Sequence, residues 1–360
     1  MYNFTNLLFL ITTFCLIMPF CYISFPRNEK KHCRELYSCC YFFLITVLFI
    51  IIITRDFSNL PDQTEYIRYF NTYLHERDSV LKNLVLIEPS FKILSILVKL
   101  IFNENVFVLF LLYSIIGYCS KVLEIYKLRN ENRFCFLTLF IYSSYYLILQ
   151  DFIQIRVAAS MAFFLRAVDC KIYNYRKRCL LFLMLSFFFH YSAIVGFIIL
   201  FVSDKHWNIK LYMYGLVIVF CIALLRINVI SILSYLPLGS ISVKIEVYRN
   251  YKGTNLVNIF SFSKIVRYTI LLMLIILHKR IQWKSFSIIF AKLYYFSIFF
   301  QLLFSTVPVI PTRVSEFFRL SEIFVLPFFI TCIKEKKVII SFIIIYCIYS
   351  FYYTIEEYLL

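Results

Sequence analysis

The chain has 360 residues, of which 62% are apolar and 16% charged, with a formal net charge of +17. Soluble domains carry about 45–50% apolar and about 25% charged residues, so a soluble fold of this length lacks the interior for so much apolar surface. That excludes a cytosolic enzyme, a disordered tail and a nucleic-acid partner, since the basic residues stand in short clusters between apolar runs.

Runs of about 20 apolar residues are long enough to cross a bilayer. In chain order the plain ones are Phe4–Phe25, Leu36–Thr54, Val106–Tyr126, Cys179–Val202, Val257–Leu277, Ser285–Val307 and Val338–Tyr353. Shorter ones, placed by their polar punctuation, are Phe134–Leu149, Arg156–Cys170, Ile209–Leu225, Ile227–Ser242 and Phe317–Ile333. The expectation is an all-α polytopic membrane bundle of about twelve transmembrane helices, with residues 1–360 as a single transmembrane domain. The stretch Ile209–Ser242 is the weakest, because a turn at Arg226–Asn228 leaves two short helices. The first run is too long for a signal peptide and its basic cluster follows it.

Orientation is set by Lys and Arg in short loops. The dense clusters Arg27–Arg34, Lys127–Arg133, Lys171–Arg178, His278–Arg280 and Lys334–Lys337 all fall on one side of this scheme, which is then cytoplasmic, with both termini external. None of the twelve cysteines falls in an expected external loop, so no external disulfide framework is expected. Cys33, Cys39 and Cys40 match no common zinc spacing.

One external loop, 55–105, runs for about fifty residues, a length that is usually functional or disordered. It is aromatic enough to fold, with Tyr66, Tyr69, Phe70, Tyr73 and Phe91. Its second half, Phe91–Phe102, reads as an amphipathic helix lying at the membrane surface, with Lys92 and Lys99 reaching for headgroups. External basic residues are more numerous than the positive-inside rule favours; an anionic ligand on the outer face explains them, as does pairing with external Asp and Glu.

Four places carry candidate chemistry. Arg156, in Asp151-Phe-Ile-Gln-Ile-Arg156, opens a span whose next residues are the small Ala158, Ala159, Ser160 and Ala162, which permit close helix packing. A boundary arginine is a functional candidate; the alternatives are snorkelling or a pair with Asp151. Arg166 has Asp169 three residues on and reads as a structural pair. His190 sits near the middle of an apolar run, where a polar ring needs a partner: a substrate, or a neighbouring backbone or tyrosine group. Arg313, Glu316, Arg319 and Glu322 recur at every third residue, either as an i,i+3 ladder or as a fork of arginines facing a phosphate. In the loop, Asp62 with Tyr66, and Glu88 in Glu88-Pro-Ser-Phe91, pair carboxylates with aromatics, a combination that suits a sugar or a general base.

Taken in order, Asp62-x-x-x-Tyr66, Glu88-Pro-Ser-Phe91, Arg156-Val-Ala-Ala-Ser-x-Ala162, Phe189-His190-Tyr-Ser192-Ala193 and Arg313-x-x-x-Phe-Phe ahead of Pro327 resemble the EpsG-type, Wzy-like family of polysaccharide polymerases. The likeness covers about residues 36–335. It departs from the pattern at Phe317-Phe318, where a Tyr-Phe pair is expected and a hydroxyl is therefore missing. The resemblance implies a multi-pass enzyme of the bacterial inner membrane that polymerises O-antigen, capsule or exopolysaccharide repeat units. Its substrate would be an oligosaccharide on undecaprenyl pyrophosphate, and the growing glycan would pass from its carrier to the next lipid-linked unit at the outer face. No metal or other cofactor is implied. The implied partners are the bilayer, the lipid-linked oligosaccharide, a chain-length regulator and a flippase, with no nucleic acid.

Within that reading the leaving pyrophosphate needs positive charge more than a proton. Arg156 and Arg313 are assigned to it, with Arg319 and Arg249 as further candidates. His190, Asp62 and Glu88 compete as base toward the acceptor hydroxyl, and Tyr66 stacks on a sugar. Two other classes share these features. A flippase of the same lipid should show repeats and interrupted helices; a membrane ligase should share the charge pattern, and an acyltransferase should place a catalytic His nearer an entry tunnel for its acyl donor.

Overall fold

The computed structural model describes residues 11, 31–55, 60–72, 87–127, 135–229, 258–281, 284–307 and 309–358, and for 31–37, 61, 72 and 309 only the backbone. All of the first expected span but Ile11, most of Ile227–Ser242, residues 56–59 and 73–86 of the long loop, and Arg249 lie outside them. The described secondary structure is entirely helical. In chain order the helices are α1 (Lys31–Ile53), α2 (Pro61–Thr72), α3 (Pro89–Ile101), α4 (Val106–Lys127), α5 (Cys135–Ile153), α6 (Ile155–Ile172) and α7 (Arg176–Phe189). They are followed by the 3-10 helix α8 (Tyr191–Leu200), then α9 (Ile209–Leu224), α10 (Phe262–Ile276), α11 (Ser285–Leu303), α12 (Val309–Arg319), α13 (Glu322–Cys332) and α14 (Lys336–Tyr358).

By length and composition, α4, α5, α11 and α14 are the described helices able to cross a membrane alone. Shorter apolar helices, such as Ser38–Ile53, Ile209–Leu224 and Glu322–Cys332, accompany them. Several expected spans are divided. The run Cys179–Val202 breaks at His190, whose backbone is extended (φ −156°, ψ 126°) between α7 and α8. Phe317–Ile333 splits between α12 and α13. The turn expected at Arg226 is present, with φ 54° just beyond α9. Hydropathy counts apolar length and does not register where the backbone bends, so about twelve spans is a count of runs rather than of helices.

Helix α5 is the centre of the bundle, buried along its whole length. Helix α6 packs closely on α7 through Ser160 and Ser186, each hydroxyl donating to the other residue's carbonyl at 2.8 Å. Small residues at a lipid-embedded interface let backbones approach, as the Ala-Ala-Ser run predicts. Gly117 sits in a wide turn of α4, and a Cβ there would lie 3.1 Å from Ala158 Cβ and from the backbone nitrogen of Ala159.

Charges inside the bundle are paired across helices. Lys121 of α4 meets Asp151 of α5 at 2.8 Å, both side chains fully buried, and Tyr142 donates to the same carboxylate. Arg55 Nη1 donates to the Asp151 carbonyl at 2.6 Å, and Gln63 donates to the Phe152 carbonyl, tying α2 to the end of α5. Asp151 is therefore the partner of Lys121 and not of Arg156. The local pair expected for Arg166 is replaced too. Arg166 Nε reaches Glu124 of α4 at 3.4 Å, while Asp169 takes Lys127. The buried carboxylates face the α4–α6 seam, where cations from both helices reach them, and this outweighs sequence proximity. Lys292 donates to the carbonyls of Ser203 and His206 and so closes the turn before α9.

In a low-dielectric interior, removing one member of a buried ion pair leaves an uncompensated charge. Lys121→Met is expected to lower stability by about 3–5 kcal/mol, measured by thermal unfolding in detergent. The double change Lys121→Met with Asp151→Leu should recover much of that loss.

Candidate functional site

Glu88 precedes Pro89, which bars it from helical backbone, and it adopts φ −63°, ψ 144° as the residue capping α3. This turns its side chain inward, where only 1% of it is exposed. Gln154, between α5 and α6, has φ −99° and ψ 60°, a sharp change of direction that sets Arg156 in the first turn of α6. The break at His190 places its ring at the end of α7.

These three backbone features bring one carboxylate and two basic side chains together. Arg156 Nη1 donates to Glu88 Oε2, and His190 Nδ1 lies 3.0 Å from Glu88 Oε1. The carboxylate is covered, while Arg156 and His190 keep 17% and 13% of their side chains exposed. The site thus presents a guanidinium and an imidazole, each partly exposed, over a buried carboxylate. Arg156 Nε has no hydrogen-bond partner among the described residues.

An aromatic wall shapes the site. The Arg156 guanidinium lies 4.5 Å from the Tyr66 ring and 5.6 Å from Phe91. Phe91 packs on Tyr113 and Tyr113 on Phe189, and Tyr113 shares a 3.2 Å hydrogen bond with Ser90. A planar cation stacked on rings is held flat and gives up little further entropy on binding an anion. Burial pushes the Tyr66 hydroxyl up to about 12, against the pull of Arg156, so it stays protonated at neutral pH.

The other expected residues lie at differing places. Asp62 is half-buried on α2, one turn before Tyr66, and its charge acts on that ring. Arg313 is half-buried on α12, close enough for its charge to act on Tyr66 and His190. Helix α12 reaches the site because α8 packs between it and α6, Gly196 lying against Phe164 and Phe317. Arg319 is turned into the protein. Its Nε meets Glu322 at 3.0 Å, its Nη2 meets the Tyr346 hydroxyl at 3.2 Å, and its guanidinium lies 4.0 Å from the Tyr145 ring. It joins α12, α13, α14 and α5 rather than the Glu88 cluster, so the i,i+3 pair is present while the fork of arginines is not formed by this residue. Arg249 lies outside the described residues. Lys99, expected at the headgroups, is buried with its ammonium 4.9 Å from the Phe70 ring. Helix α3 instead exposes Ile93, Ile96, Leu97, Leu100 and Ile101.

Tyr113 was not singled out by the sequence, because an apolar run hides it; Ser90 and Phe189 appeared only as members of the Glu88-Pro-Ser-Phe91 and Phe189-His190-Tyr motifs, without a role. Because Glu88 is the counter-charge of Arg156, Glu88→Ala should destabilise the fold by about 3–5 kcal/mol, read as a lower unfolding temperature. Glu88→Gln keeps the shape and should lose less.

No curated protein and no solved structure matches the chain. Residues 40–359 match the EpsG family, a stretch that takes in α2 to α14 and every described residue of the cluster. The chain belongs to the EpsG family, the family of Wzy-like polymerase-type membrane proteins.

Proposed function

We propose that the chain polymerises surface polysaccharide at the membrane, passing a growing glycan from a polyprenyl pyrophosphate carrier to the next lipid-linked repeat unit. The observation that carries this reading is the half-open pair of Arg156 and His190 on the shared carboxylate of Glu88, with Arg313 alongside.

The reaction breaks the bond between the anomeric carbon and the pyrophosphate oxygen. It forms one to the acceptor hydroxyl oxygen, and the hydroxyl proton must leave. Arg156 and Arg313 bind the departing diphosphate, whose negative charge grows in the transition state. The N-terminal turn of α6, which carries Arg156, adds to that field.

The proton goes to His190. A carboxylate accepts only, so Glu88 keeps the proton of the neutral ring on Nδ1 and leaves the Nε2 lone pair for the acceptor hydroxyl. Glu88 itself accepts from Arg156, has His190 Nδ1 3.0 Å from its other oxygen and is nearly sealed, which makes it the orienting group. Asp62, half-buried, lies on the sugar side, while Tyr66 is buried beneath the Arg156 guanidinium and positions that cation instead of stacking on a sugar.

Arg156→Ala and Arg313→Ala should each lower transfer by about 10²–10³-fold, and His190→Asn by at least about 10²-fold. The readout is the surface glycan ladder in cells carrying each variant, with membrane insertion checked by immunoblot. The expected pattern is collapse to single repeat units on the cell surface. A normal ladder from Arg156→Ala sinks the proposal, and repeat units trapped facing the cytoplasm would point to a flippase.

A further inference from the structure

At the opposite end of α6 from Arg156, about 20 Å away by helical rise, a pocket opens beside the basic cluster Lys171–Arg178. Its volume is about 540 Å³, and it lies between the last turns of α4 and α6 and the first turns of α7. Nothing in the proposed reaction uses it.

The floor is acidic and the rim basic. Glu124 and Asp169 are buried. They hold Arg166, at 3.4 Å from Glu124, and Lys127, which pairs with Asp169. Both cations still keep much of their side chains exposed, 37% for Arg166 and 56% for Lys127. Arg178 joins them, its guanidinium 5.3 Å from the Tyr175 ring. Three cations stand over two carboxylates, so the pocket has a surplus positive charge with the cations already fixed in place. Such a rim suits a phosphate oxyanion.

The remaining wall is apolar and leads away from the loops. Leu181 and Phe182 line the pocket on α7, and the same helix exposes Leu180, Leu181 and Met184 in its next turns. The exposed Tyr173 and Tyr175 stand at the mouth, as aromatic residues do at a membrane–water boundary. A soluble anion would have no use for the apolar strip. A ligand with a phosphate head and acyl tails fits both parts.

We propose that this pocket binds the headgroup of an anionic phospholipid of the surrounding leaflet, with its acyl chains along α7. Basic pockets between transmembrane helices on the cytoplasmic side serve this purpose in general. Here the lipid clasps the ends of α6 and α7, the two helices whose far ends carry Arg156 and His190. The inference stands on the pocket alone and is independent of the reaction proposed above.

The test uses the full-length protein, purified in detergent and titrated with phosphatidylglycerol or phosphatidylcholine, with bound lipid counted by native mass spectrometry. Wild type should retain phosphatidylglycerol in preference to phosphatidylcholine. Arg178→Gln, an exposed change that leaves the buried carboxylates paired, should lower phosphatidylglycerol occupancy by about fivefold, the effect of one basic side chain near a membrane surface. Lys127→Gln should act in the same direction. Equal retention of the two lipids, or unchanged occupancy in Arg178→Gln, overturns the site. Displacement of the lipid by millimolar inorganic phosphate overturns the lipid assignment in favour of a soluble phosphate.

Discussion

A single buried carboxylate, Glu88, has a guanidinium on one oxygen and an imidazole on the other. The three groups come from the long loop, from the start of α6 and from the end of α7. In an interior poor in water none of the three is stable alone, so each fixes the position of the others. This shared carboxylate closes α3 onto the bundle and leaves a guanidinium and an imidazole partly exposed above it.

The rest of the bundle follows the same logic at other depths. Lys121 with Asp151 locks α4 to α5, Arg319 with Glu322 and Tyr346 gathers the C-terminal helices, and Arg267 bonds Gln301 and Ser297 between α10 and α11. These groups are buried and tied to one another across helices. Arg156 and His190 stand apart by chemistry: a guanidinium and an imidazole share the one buried Glu88 carboxylate, and both keep part of their surface exposed. Small residues do the complementary work: the Ser160–Ser186 exchange and the Gly117 contact bring α4, α6 and α7 close enough for their end residues to act together.

The residues of the cluster were legible before the fold was, and their partners were not. Arg156, Glu88 and His190 stand out because an ionisable group in an apolar context needs a reason. Yet Asp151, five residues from Arg156, belongs to Lys121, and Asp169, three residues from Arg166, belongs to Lys127. Nearness along the chain weighs little against a burial geometry that aims carboxylates into a seam between helices. The break at His190 was equally hidden, because no glycine or proline marks it.

Sequence alone determined that the chain is helical and membrane-embedded, and where its long apolar helices α5 and α11 begin, because hydropathy is a local sum over neighbouring residues. It also named the ionisable groups that an apolar surrounding makes conspicuous. Tertiary structure decided which of them meet, which are sealed and which stay open, and which apolar runs bend. Those outcomes depend on distances between groups that the chain separates by dozens of residues, and electrostatic pairing in a low-dielectric interior is governed by those distances alone.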